Sequence, residues 1–523
     1  MPASIPRYLL QTAERLPDKV AIVARERSVT FAQLLQEALA TSQCLREVGL
    51  KPGDRVGVCM EKTVDQVVAL LGVLFANALA VPILPRLKGP NIRHIIENSG
   101  MAAMITDTDR LVEVREYGSI TRLMTGHGAV TEDWPNLPYM RRFMQPVNAF
   151  DRIGNDSAAI IYSSGSTGRP KGILISHRNL AEGADICAEY LGTDEDDRIG
   201  CMLSFNFDYG MNQIWQTIRQ GCTLILHELA LPADLFSMMA RERVTALPVM
   251  PVFLTKMFDR RLKADPSRFD LSSLRYVSST GGRLSADMIA DMRAAFPSAR
   301  IFSMFGLTEA FRGTYLPPDK LDQYPTSVGQ AIPDCQILVL DEDGDECAPG
   351  VVGELVQRGA TVTKGYWNDP VNTAKTFRPH PRFPGETLVF SGDKVYKDEN
   401  GFIYFVARAD DMIKTKGFRV SPTEVETEVL QHPDVVEVVA FAVPNIAVGE
   451  DVACAYTSAD GKPIAEAVLR QFLKAQLPNH MVPAILVHFD CFPILGNAGK
   501  HDRKAIKQQS FERLGIALPS HGG

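Results

Sequence analysis

Eleven residues from Tyr162 to Gly172, YSSGSTGRPKG, gather three glycines, four Ser/Thr hydroxyls, a proline and a lysine. These residue types suit anion binding. Glycines let backbone N–H groups come close to an oxyanion, hydroxyls add donors, and Lys171 brings a point charge. A Walker P-loop needs G-x-x-x-x-G-K-[ST], and neither Gly165 nor Gly168 is followed at that spacing by the glycine, lysine and hydroxyl required. The run is therefore read as a nucleotide loop of another kind, although by itself a Gly/Ser run is more often a surface linker.

An anion loop needs elements that hold it. AAIIYSS (Ala158 to Ser164) is a buried-strand run feeding the loop, and HRNLAEGADICAEYL after it has helical spacing, so the loop is expected at a strand end, where ligands of α/β sheets collect. The same alternation appears earlier: Phe31 to Glu47 is helix-like, Arg55 to Met60 a short strand, and Val64 to Ala78 again a helix. Residues 67–84 are strongly apolar, but Gly72, Asn77 and Pro82 interrupt them, which favours a buried helix running into a strand over a membrane span. Between Cys335 and Gly365 the texture changes to short strands with EDG and APG turn signals. The polar stretch RADDMIKTKG then precedes SPTEVETEVLQ, where Ser421 and Glu424 form a capping-box pattern. The expected fold class is α/β: a large N-terminal domain of α/β subdomains plus a small β-rich subdomain (1–409), a small mobile α+β C-terminal domain (410–515), and a disordered tail (516–523).

The chain has 523 residues, 22% of them charged, and a net charge of −7, which argues against nucleic-acid binding and against a polybasic membrane surface. Small molecules or proteins are the expected partners. Nine cysteines from Cys44 to Cys491 show no C-x-x-C or paired-histidine spacing, and no apolar leader follows the N-terminus. A reducing, cytoplasmic setting without disulfides or zinc is expected.

The chain resembles the AMP-forming adenylate-forming superfamily of acyl-CoA synthetases, stand-alone amino-acid adenylation enzymes and luciferases. The resemblance rests on the loop together with FGLTE (Phe305 to Glu309), SGD (Ser391 to Asp393), ARADDMIKTKGFRVSPTEVE (Ala407 to Glu426) and GNAGKHDRK (Gly496 to Lys504), in the family's order. It implies that a carboxylate attacks the α-phosphate of ATP, releasing pyrophosphate and leaving an acyl-AMP. Ser163, Ser164, Gly165, Ser166, Thr167, Gly168 and Lys171 would then face the β- and γ-phosphates, while Thr308 and Glu309 would hold the α-phosphate and Mg²⁺. By the same resemblance Asp393 takes the ribose hydroxyls and Arg408 also contacts the ribose. Asp410 is the hinge on which the small domain swings, Gly417 lines the pantetheine tunnel, and Lys500 is the catalytic lysine. The motifs depart from the family pattern at Ala498, where Asn is usual, and at Ala407, where Gly is usual.

LSFNFDYGMNQIW (Leu203 to Trp215) resembles the segment lining the acyl pocket, with Asp208 where amino-acid-adenylating members keep an aspartate for the α-ammonium. The family's pocket positions fall on Asp208, Tyr209, Asn212, Pro248, Ser279, Gly281, Met304 and Arg312. Alternatives stay open: Asp208 could cap or buttress a helix start, and Arg312 could face solvent, pair with an acid of the protein, or pair with an acidic group on the substrate. FDYGMNQ, FGLTEAFR and TYLPP also resemble a subgroup of acyl-CoA ligases associated with exosortase systems. No D-S-L segment follows the adenylating region, so a carrier-protein thiol is expected on a separate protein. The expected function is an ATP- and Mg²⁺-dependent ligase that adenylates an amino acid and passes it to a carrier-protein phosphopantetheine. The alternatives are an acyl-CoA ligase acting on a non-amino acid, a γ-phosphate-transferring ATPase or phosphotransferase, and a silent nucleotide binder.

Overall fold

The computed structural model describes residues 4–516 except 86, 88, 118–121, 129–134, 164–169, 260, 261, 263, 409, 410, 416, 417, 446–448 and 496–499. The chain divides into two compact units, residues 1–337 with 356–390, and residues 338–355 with 391–523. It is an α/β protein, with several sheets in the large N-terminal unit and a smaller sheet in the C-terminal one.

In the large unit, Ser157–Ser163 (β1) and Lys171–Ser176 (β2) form an antiparallel pair that places Ser163 opposite Lys171. The glycine-rich run thus connects a hairpin and does not lead straight into a helix. Ile173 and Ile175 are both fully buried, so the short apolar run after the loop presents one face to the core with the two-residue period of a strand. The expected helix follows as His177–Leu191 (α1), capped by Ser176 through a reciprocal bond pattern with Asn179 and ended by Gly192 in a left-handed conformation. The helix read at Phe31–Glu47 also forms, and the one read over Val64 to Ala78 ends at Phe75. Among the described residues no helix is long and apolar enough to cross a membrane.

A second sheet carries the remaining pocket residues of this unit. Arg198–Cys201 (β3), Ala246–Val249 (β4), Tyr276–Ser279 (β5) and Arg300–Phe305 (β6) are parallel neighbours, and Thr314–Leu316 (β7) turns back antiparallel on β6. Asp208–Gln220 (α2) follows β3. The first turn of α2 packs so tightly that any Cβ at residue 210 would collide with the Ser204 carbonyl, which is why glycine follows Asp208 and Tyr209. Parallel strands put their carboxyl ends on one edge, and Ser279 and Phe305 lie at two of those ends.

In the C-terminal unit, the last residues of strand Phe383–Lys397 (β8) pair with Ile403–Arg408 (β9). Pro422–Val429 (α3) begins where the capping pattern predicts, with the Ser421 hydroxyl accepting from the Glu424 N–H at 3.3 Å. Val435–Asn445 (β10) and Gly449–Ser458 (β11) form a long antiparallel hairpin. Its alternate residues serve two cores, Val438 and Ala440 with Leu469 on one face, Val439 and Phe441 with Phe511 on the other. A strand covered on both faces reads as a continuous apolar run, as VVEVVAFAV does.

Candidate active site

Of the expected phosphate-facing residues, Ser164, Gly165, Ser166, Thr167 and Gly168 lie outside the described residues. Ser163 and Lys171 frame the loop from opposite strands. The Lys171 ammonium sits 5.4 Å from the centroid of the Tyr366 ring, and the Tyr366 hydroxyl donates to Glu309 Oε1 at 2.7 Å. Lys171 and Glu309, distant in sequence, are therefore joined through one aromatic side chain. Thr363 fixes the Glu309 backbone by donating to its carbonyl from both N–H (3.0 Å) and Oγ1 (2.8 Å). Thr308 and Glu309 lie in a short turn, Thr308–Ala310, followed by Phe311 at φ 61°. A non-glycine residue there is strained and needs support from its surroundings. The Phe311 ring fills space that a side chain at Gly183 of α1 would occupy.

Glu309 is the residue assigned to Mg²⁺. Among the described residues no group of three or more His, Cys, Asp or Glu side chains could hold a metal. A single carboxylate with a neighbouring lysine fits Mg²⁺ that takes its other ligands from phosphates and water, its usual habit, and does not fit a closed protein cage.

The residues expected to line an acid pocket lie on α2 and around the carboxyl ends of β4 to β6. Asp208 opens α2, Tyr209 follows, and Asn212 lies one turn on along the same face. The Tyr209 hydroxyl donates to the Ser278 carbonyl at 2.7 Å and shares a bond with Ser278 Oγ at 2.9 Å, tying α2 to β5. Ser279 ends β5, Pro248 of β4 is paired with Ser278, and Gly281 adopts φ +84° just beyond. Met304 Sδ accepts from the Tyr190 hydroxyl at 3.1 Å. Arg312 is buried and donates from Nη1 to Asp208 Oδ2 at 3.2 Å, with its guanidinium 4.7 Å from the Tyr209 ring centroid. Of the readings open for Arg312, the structure displays a pair with an acid of the protein, and that acid is Asp208 itself.

Several polar atoms in this cluster are buried without a hydrogen-bond partner: Arg312 Nε and Nη2, both amide atoms of Asn212, and Ser279 Oγ. Burial would lower the Arg312 pKa, but Asp208 outweighs it and keeps the guanidinium above its ordinary value. Burial pushes the neighbouring Cys187 thiol up, opposed by Arg312, Tyr190 and Asn212. Tyr366, Cys187 and Tyr190 escaped the sequence reading. The two on α1 carry no motif and read as helix residues, and Tyr366 lies 57 residues from Glu309.

In the C-terminal unit, Asp393 and Arg408 stand opposite each other on β8 and β9. Arg408 Nε lies 3.3 Å from Asp393 Oδ1, and its Nη2 donates to the Ser391 carbonyl at 3.2 Å. The SGD motif folds on itself, with the Asp393 N–H donating to Ser391 Oγ at 3.0 Å. Two short strands, Ile494–Leu495 (β12) and Lys500–His501 (β13), pair antiparallel and set Lys500 opposite Leu495. Asp502 caps Arg503–Leu514 (α4) by accepting from the Ala505 N–H at 2.9 Å. Arg503 donates to Glu426 Oε1 at 2.5 Å and to the Ala440 carbonyl at 2.9 Å. The residues after Lys500 thus fasten its strand to α3 and β10. Asp410 and Gly417 lie outside the described residues, as does Ala498.

This fold and these motifs define an adenylate-forming ligase. The chain matches the AMP-binding enzyme family over residues 9–367 and the AMP-binding enzyme C-terminal domain over residues 424–497, and it belongs to that family. It is 31% identical over 511 residues to a linear gramicidin synthase of Brevibacillus parabrevis, a match that takes in 96% of this chain and 6% of that protein. A surfactin synthase of Bacillus subtilis is 29% identical over 513 residues, 96% of this chain and 14% of that protein. The chain therefore spans a small part of these relatives. Among solved structures, ATP-bound MatB from Rhodopseudomonas palustris superposes with a TM-score of 0.86 at 26% identity, covering 98% of this chain and 100% of that one. The anthranilate CoA ligase AuaEII with anthranoyl-AMP has a TM-score of 0.88 at 23% identity and 99% coverage of both chains, a likeness of fold.

Proposed function

We propose that the protein activates an amino acid with ATP, forming an aminoacyl-AMP and pyrophosphate, and passes the acyl group to the phosphopantetheine thiol of a carrier protein. The observation that carries this reading is the buried Asp208 carboxylate at the start of α2, which spends Oδ2 on Arg312 and keeps a second oxygen to offer a ligand. A buried anion with an open lone pair suits a substrate ammonium. Similarity to the gramicidin and surfactin synthases over nearly the whole chain supports the same substrate class.

In this reading Lys171, with Ser163 and the hydroxyls and glycines from Ser164 to Gly168, steadies the departing pyrophosphate. Thr308 positions the α-phosphate, and Glu309, oriented by Tyr366 and Thr363, would hold Mg²⁺, which supplies charge neutralisation to the phosphates. Asp393 accepts from the ribose hydroxyls and Arg408 adds a ribose contact. Lys500 brings a cation to the substrate carboxylate and the α-phosphate, offsetting repulsion between two anions as the bond forms. Asp410 is the hinge about which residues 410–515 swing, and Gly417 keeps the thiol path open. Asn212, Ser279, Gly281, Met304 and Tyr209 shape the acid subsite.

ATP–pyrophosphate exchange across amino acids and their des-amino analogues tests the reading, with AMP as the nucleotide product. Exchange supported only by acids lacking an amine would overturn the amino-acid assignment, and ADP as product would overturn α-phosphate chemistry. Lys500→Ala is expected to slow adenylate formation by about 10²- to 10³-fold while leaving thiol transfer from supplied acyl-AMP in place. Gly417→Leu is expected to do the reverse. A second reading, an AMP-forming acyl-CoA ligase for a non-amino acid, draws on the fact that Arg312 already gives Asp208 a counter-charge.

A further inference from the structure

We infer that the activated acid is an amino acid whose side chain ends in a second carboxylate, held by the unpartnered Nε and Nη2 donors of Arg312 while Asp208 Oδ1 takes its ammonium. This rests on the amino-acid reading above and deepens it. The physical basis is charge balance around a buried ion pair. Asp208 and Arg312 are both buried and together neutral. The carboxylate being activated is matched by the phosphate-facing cations, so the rest of the substrate must satisfy this pocket. An aliphatic amino acid would add one ammonium and leave a buried net positive charge. A dicarboxylate without an amine would leave a net negative one. Either imbalance is costly beside buried charges. A substrate carrying both an ammonium and a distal carboxylate keeps the sum at zero.

Hydrogen bonding points the same way. Arg312 spends Nη1 on Asp208 and on the Phe311 carbonyl at 2.9 Å, which leaves Nε and Nη2, a pair of donors in one plane, without partners. That is the fork which matches a carboxylate with two parallel bonds. The Asn212 amide and Ser279 Oγ, at other expected pocket positions, are also buried and unpartnered and add donors. A hydrocarbon side chain would satisfy none of these groups, and each buried donor left unmade weakens binding. The ring of Tyr209 against the guanidinium helps hold the fork in position.

The test is ATP–pyrophosphate exchange by the full chain with L-aspartate, L-glutamate, L-asparagine, L-glutamine, L-alanine, L-leucine, succinate and glutarate. Aspartate or glutamate is expected to exceed its own amide by about 10- to 100-fold in kcat/KM, and to exceed alanine and leucine by at least as much. Amides or aliphatic amino acids exchanging as well as the acidic pair would overturn this inference and leave amino-acid activation standing. Exchange with succinate or glutarate alone would overturn both, and exchange with none of the panel would overturn this inference alone. Arg312→Lys, checked for folding by its melting curve, keeps the charge but replaces the planar fork by a single ammonium. It is expected to lower exchange with the acidic amino acid about 10-fold and to leave the amide within about twofold. Equal losses on both substrates would assign Arg312 a purely structural role and overturn the inference.

Discussion

Two Asp–Arg pairs of nearly equal length behave as different objects. Arg312 and Asp208 in the large unit lie 3.2 Å apart with side-chain exposures of 3% and 12%, whereas Arg408 and Asp393 in the C-terminal unit lie 3.3 Å apart with exposures of 60% and 9%. The first pair has little water to retreat to, so each charge depends on the other. The second has an arginine that can leave at little cost. Equal distance conceals different environments, and under the proposed roles the buried pair would select the acid while the exposed pair would yield to a nucleotide.

The largest contrast is expected from breaking the buried pair. Arg312→Met leaves Asp208 buried without a cation and should cost about 3–5 kcal/mol in urea unfolding; a loss under about 1 kcal/mol would place it with surface pairs. A sharper test of burial uses a group in which burial outweighs the nearby charge of Asp156. Both ring nitrogens of buried His177 lack partners, and burial pushes its pKa down from 6.5 to about 4. The unfolded chain then binds the proton first, so this contribution is intact above pH 6.5 and is lost as pH falls through about 4, to an extent of roughly 3 kcal/mol. Asp107 works in the opposite sense: burial pushes its carboxyl up to about 6, giving stability that is present below pH 3.8 and lost as pH rises through 6. Subtracting the pH profile of His177→Gln from that of the native chain isolates the histidine.

On the exposed side, Asp393→Asn is expected to weaken AMP binding about 10- to 100-fold by calorimetry. Arg408→Gln is the mildest change, with less than about 1 kcal/mol of stability lost and most of that already absent at high salt. A large, salt-insensitive loss at Arg408 would erase the distinction between the pairs.

The exposed pair was easier to find from sequence. Asp393 and Arg408 lie in short motifs on adjacent strands, so motif and register coincide. Asp208 and Arg312 were each legible as pocket positions, but their contact joins residues 104 apart through the crossovers of a parallel sheet, and no local pattern encodes that. Local signals did best where one turn of chain holds the information, as at Ser421, whose hydroxyl caps α3, and at the helix Phe31–Glu47. They failed at β2, where six residues after a glycine-rich run carry too little period to tell strand from helix lead-in. Tyr366 was invisible for a different reason: its value lies in touching Lys171 and Glu309 together, and neither partner is near it in sequence.

The missing side chain at Gly183 has a consequence for evolution as well as for packing. The ring of Phe311 rests in the notch that this glycine leaves in α1, and Phe311 sits between the turn bearing Glu309 and the guanidinium of Arg312. One added methyl group in the helix would act as a wedge on that ring, displacing the turn that bears Glu309 and the guanidinium of Arg312 together. If those two residues have the roles proposed above, selectivity for the acid and grip on the nucleotide cannot drift independently by mutation at this helix, because a single notch keeps both in register.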